Sequence, residues 1–205
     1  GALARSRRRV IGQYKTNVQI EEDQFYRLYE AEHLVSERPV RLRLHLVDQF
    51  LPRAERDAVA RRSLRAFRAL TELEGKVGWV PQIVGPVDAF VQDDGHVVTI
   101  SPADPDQTLE DLSELGEGLD PEARLAVIRG AARAIQAAHA AGIAHRRLSP
   151  DVVHVDRGVT DPTKVMARVG GWDMARIGDA QTAASRVSMV AEGVAFMAPE
   201  VVADD

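Results

Sequence analysis

Residues 143–155 (Ile-Ala-His-Arg-Arg-Leu-Ser-Pro-Asp-Val-Val-His-Val) concentrate groups that could do chemistry. His145, Ser149 and Asp151 are the residue types of a base, a nucleophile and an orienting carboxylate. A hydrolase nucleophile is expected in a Gly-x-Ser-x-Gly turn, and no such pattern surrounds Ser149. Among the 6 histidines no metal-ligand spacing occurs, and no cysteine is present to complete a set, so no metal site is expected. Gly116-Glu117-Gly118 reads as a loop, not a nucleotide fingerprint. Arg41, Arg43, Arg146 and Arg147, taken with Glu21, Glu22 and Asp23, would suit an internal salt-bridge set. The same arginines would also suit an anion or a phosphopeptide, and the internal set is the plainer expectation.

The bulk composition bounds these options. A chain of 205 residues is long enough for one sizeable core or two small lobes. Hydrophobic content of 45% and charged content of 28% are those of an ordinary globular protein. A formal net charge of −5 argues against a nucleic-acid or anionic-lipid partner. Without cysteine no disulfide framework is possible, which suits a reducing, cytoplasmic location. No apolar run approaches the ~20 residues needed to span a bilayer. Residues 1–10 carry Arg5, Arg7, Arg8 and Arg9 but no following apolar stretch, so they read as a linker or tail and not a signal peptide.

The elements that must position the reactive types follow from periodicity. Strands are expected at 13–20, 25–34 and 39–47. The third alternates, with Val40, Leu42, Leu44 and Leu46 on one face and Arg41, Arg43 and His45 on the other. Pro52 opens one helix to about Glu74, ended by Gly75 and Gly78, with an inward stripe of Val59, Ser63, Phe67, Leu70 and Leu73. Residues 83–91 and 96–101 predict a hairpin across Asp93-Asp94-Gly95. Pro102–Gln107 is a polar connector. Thr108–Leu115 is a short helix. Asp120-Pro121-Glu122 starts a longer helix that Gly142 stops, with Leu125, Ile128, Ala132, Ile135 and Ala138 expected inside. Strands with one helix, then a connector, then a helical part, predict an α+β fold.

The motifs and their order resemble a protein kinase domain of the eukaryotic-like Ser/Thr type, in a degenerate, bacterial form. His145-Arg146-Arg147-Leu148 is similar to the His-Arg-Asp-Leu of the kinase catalytic loop, with Arg147 where the catalytic Asp belongs and Val152 where the metal-binding Asn belongs. Ile20–Ala31 falls at the glycine-rich loop, and its glycine positions hold Glu21, Asp23 and Tyr26. Val40-Arg41-Leu42-Arg43 aligns with Val-Ala-Ile-Lys; Arg41 takes the position of the Ala that packs on adenine, where it is expected to fill the slot, and Arg43 that of the phosphate-pairing Lys. Ser63 falls at the partner Glu, and Gly171-Trp172-Asp173 at Asp-Phe-Gly, so that Gly171 replaces a metal-binding Asp. Gly193–Glu200 is similar to the Ala-Pro-Glu segment, with Val194 in place of Thr.

The resemblance implies a two-lobed protein kinase-like fold, with a linker or tail at 1–10, a strand-rich N-lobe at 11–101 and an incomplete helical C-lobe at 102–205. Phe67, His145 and Trp172 hold structural spine positions, and His145 is expected to be a packed core histidine. The substituted positions leave no phosphoryl-transfer machinery, so no catalytic residue, ATP or Mg²⁺ is expected. The implied function is a catalytically inactive regulatory or protein-interaction scaffold within a larger, multidomain protein. The implied partner is a protein or an attached domain. The alternatives are a divergent Ser/Thr kinase that keeps residual ATP binding, with ATP and Mg²⁺ as cofactors, and the arginine-lined anion- or phosphopeptide-binding module.

Overall fold

The computed structural model describes residues 9–103, 107–156 and 165–178. Residues 1–8 of the expected tail and the Ala-Pro-Glu-like segment with Val194 lie outside them, whereas Val10, expected in the tail, starts a strand. The chain divides into two compact units, one comprising 1–67 and 85–104, the other 68–84 and 105–205. The architecture is mixed α+β, with a curled antiparallel sheet and a few helices.

In the first unit β1 (Val10–Ile11), β2 (Tyr14–Glu22), β3 (Tyr26–His33), β4 (Pro39–His45), β5 (Asp88–Val91) and β6 (Val97–Pro102) form a six-stranded sheet in the order β1-β2-β3-β4-β6-β5. The alternation in β4 is realised, since Val40, Leu42 and Leu44 are buried while Arg41 is exposed. Those three residues pack with Tyr29, Ala31, Val98 and Ile100 as one core. The sheet curls so far that β2 and β5, well separated in strand order, meet: Tyr14 Oη donates to Asp88 at 2.9 Å. Burial and that carboxylate raise the Tyr14 pKa to about 12.

The helix expected from Pro52 to Glu74 is two helices, α1 (Arg53–Ser63) and α2 (Arg65–Val77), interrupted at Leu64. α1 buries none of its residues, whereas α2 buries Ala66, Ala69 and Leu73. Gly75 lies inside α2, and only Gly78 follows its end. The expected hairpin also shortens at its start. Residues 82–84 bond β10 (Met166–Val169) in place of β6: Val169 N–H donates to the Gln82 carbonyl and Val84 N–H to the Val169 carbonyl.

The second unit contains β7 (Gln107–Thr108), α3 (Leu109–Glu114), α4 (Pro121–Ala140), β8 (Ile143–Ala144), β9 (Val153–Asp156), β10 and β11 (Arg176–Ile177). Thr108 and Asp111 cap α3 reciprocally, and Asp120 Oδ1 accepts from Ala123 N–H at 2.8 Å to start α4 ahead of Pro121. α4 packs on β10 and β8, and its buried residues are Ala123, Ala126, Val127, Ala134 and Ala138. Of the expected inward stripe Ala138 is buried and Ile135 half-buried, and the other three positions are corrected. Leu125 and Ile128 are 52% and 64% exposed, and Ala132 is exposed too. The reason is close approach: a Cβ on Gly130 would lie 3.0 Å from the Ala167 carbonyl oxygen, leaving room only for small side chains at that face. Among the described residues no helix is long and apolar enough to cross a membrane.

Candidate functional site

The positions singled out from the sequence fall in both units. In the first, they cluster at the β2–β3 tip. Asp23 turns the chain, its Oδ1 accepting from the backbone N–H of Phe25 and of Tyr26, each at 2.7 Å. Backbone amides at the tip thus already hold a carboxylate supplied by the chain itself. Tyr26 Oη donates to Glu21 at 2.5 Å, and the Arg43 guanidinium lies 4.6 Å from the Tyr26 ring centre. Glu21, Tyr26 and Arg43 are therefore one connected group. Burial and the bond to Glu21 push the Tyr26 pKa up to about 12, against the pull of Arg43. Arg41 shares the β4 face of Arg43, with Glu30 opposite it in register on β3. It is exposed. Ser63 closes α1 and is half-buried, and Phe67 is half-buried in α2.

In the second unit the positions converge on a small buried cluster. Trp172 is 1% exposed, and its Nε1–H donates to the Val169 carbonyl at 3.0 Å. His145 meets it edge to face, ring centres 4.5 Å apart. His145 Nε2 bonds the Gly170 carbonyl at 2.7 Å, and its Nδ1 accepts from Arg147 N–H at 3.2 Å. A carbonyl can only accept, so the proton is on Nε2 and the ring is neutral. Burial lowers the His145 pKa below its ordinary value, more strongly than the Gly170 carbonyl raises it.

Arg147 donates through Nη2 to Asp151 at 2.7 Å, and the Ser149 hydroxyl donates to the same carboxylate. Ser149 is buried. His145, which would have to accept from Ser149 in a hydrolase, has both ring nitrogens engaged elsewhere, so the three do not form a relay. Val152 is buried directly against Gly171, which has φ 68. The two positions assigned to metal ligands thus touch each other as hydrocarbon. Among the described residues no group of three or more His, Cys, Asp or Glu is placed to hold a metal ion.

Two partners were not foreseen from the sequence. Asp151 as the counter-ion of Arg147 was detectable from their i, i+4 spacing and opposite charge. The stacking of Arg43 on Tyr26 joins β4 to β3 and leaves no signal in local periodicity. No family model and no curated protein matches this sequence.

Proposed function

We propose that this chain is a catalytically inactive, protein kinase-like module, with a strand-rich N-lobe and a helical C-lobe, that acts as a regulatory or protein-interaction scaffold. The observation that carries this reading is the Arg147–Asp151 pair at 2.7 Å. At the position where phosphoryl transfer needs an anionic proton acceptor the chain has a cation, already neutralised by its own carboxylate. An arginine stays protonated at any physiological pH and cannot serve as a base. The substitutions at Arg43, Val152 and Gly171 point the same way, since each gives up a phosphate or metal contact that the reaction uses as part of a unit.

The arginine-lined anion site is less well supported, because Arg43 is committed to Tyr26 and Arg147 to Asp151. The testing experiment is thermal denaturation with millimolar ATP, with and without Mg²⁺. A ligand at 100 times its Kd stabilises by about 2.7 kcal/mol. The expected result is no shift. A Mg²⁺-dependent rise in Tm would favour the divergent kinase, and stabilisation by a phosphopeptide alone would favour the anion-binding module.

A further inference from the structure

Gly171 follows β10 in a left-handed backbone conformation, φ 68 and ψ 38. A Cβ placed on it would lie 2.9 Å from Val152 Cβ and nearer still to Cγ1. Non-bonded carbons settle at roughly 3.5–4.0 Å, so one of the two residues would have to move. Val152 is poorly able to do so. It is 4% exposed, and β-branching restricts its rotamers. Both backbones are also tied down. Gly170 N–H donates to the Val152 carbonyl at 2.8 Å, and the next residue, Val153, pairs with Val169 in the β9–β10 ladder.

We propose that Val152 and Gly171 form a steric lock: while valine occupies position 152, position 171 excludes every L side chain, carboxylates included. The proposal rests on the function argued above and deepens it. The two lost cation ligands are one packed contact, and position 171 cannot be reverted while valine stands at 152.

A double-mutant cycle on the full chain tests it, using Gly171→Ala, Val152→Ala and the double variant. The strain of a left-handed alanine and the approach of the two Cβ atoms are present in both backgrounds and cancel, leaving the contact with the valine γ carbons. Gly171→Ala is expected to lower Tm by roughly 6 °C or more beside Val152, and by less than half as much beside Ala at 152. Equal losses in the two backgrounds overturn the lock. If Gly171→Ala alone fails to fold, a folded double variant upholds the lock. A double variant that also fails overturns it, because valine is then not what excludes the side chain. Mg·ATP binding by the unmodified chain would overturn the proposed function and leave the cycle to decide the lock, so the two failures are told apart.

Discussion

The tip of the β2–β3 hairpin and the cluster around Trp172 accommodate their side chains by different physics. At the tip, charged and polar groups satisfy one another in partial contact with water: Asp23 with two amides, Tyr26 with Glu21, Arg43 over the ring. Around Trp172, Val152 is buried and Gly171 half-buried, and the two fill space with carbon. Exposed polar contacts contribute about 0–1 kcal/mol each, whereas a buried aromatic contributes several. Groups at a surface can pair with whatever is near, whereas groups in a core have to be packed, and that packing becomes structural.

The largest expected effect comes from Trp172. Trp172→Ala should cost about 3–5 kcal/mol in urea denaturation. Trp172→Phe should cost less, about 1–2 kcal/mol, from the lost indole N–H bond and the smaller ring, since the Val169 carbonyl keeps Val84 N–H as a donor. A Trp172→Ala variant no less stable than the tip variants would break the comparison.

Next is the acid dependence of His145. Folding holds its pKa below the ordinary value of about 6.5, so the unfolded chain binds more protons between the lowered value and 6.5. Stability from this group is complete above about pH 6.5 and is lost as pH falls toward the folded pKa, at no more than about 1.4 kcal/mol per pH unit. Denaturation of the unmodified chain and of His145→Asn from pH 8 to 5 should show a shallower decline for the variant. Parallel curves would remove His145 from the account.

Tyr14→Phe removes the bond that closes the curled sheet and should cost about 1 kcal/mol near neutrality. The raised pKa of about 12 sets the sign. The neutral phenol stabilises the fold below about pH 10, and that contribution is lost as pH rises from 10 toward 12. Denaturation at pH 8 and pH 11 should therefore bring the two proteins together at the higher pH. The smallest effect belongs to the tip: Arg43→Met should change stability by about 0.5–1 kcal/mol at most. A loss as large as that of Trp172→Phe would show the tip to be as structural as the core.

Local chemistry was legible wherever the signal is itself local. The alternation of Val40, Leu42 and Leu44 against Arg41 and Arg43 follows from the strand period of two, and one buried face realises it. Thr108 and Asp120 announce the starts of α3 and α4 because their side chains bond amides within the first turn. α4 marks where this stops. It carries two stripes at helical spacing, and large aliphatics looked like the better candidates for the core. The close approach of the helix to Ala167 favoured alanines, so Leu125 and Ile128 face outward. The break at Leu64 is marked by neither proline nor glycine, and the pairing of residues 82–84 with β10 depends on a strand more than 80 residues later.

What the sequence by itself determined is which side chains stand at 43, 147, 152 and 171, and hence which reactions they are unable to carry, because functional groups are a property of residue type. What each does instead was decided by the tertiary structure. Arg43 faces Tyr26 because β3 and β4 are paired. Val152 meets Gly171, 19 residues later, because the β9–β10 ladder brings both ends of that span together. Contacts closed over such separations depend on where the backbone returns, and the period of a strand or helix carries no record of it.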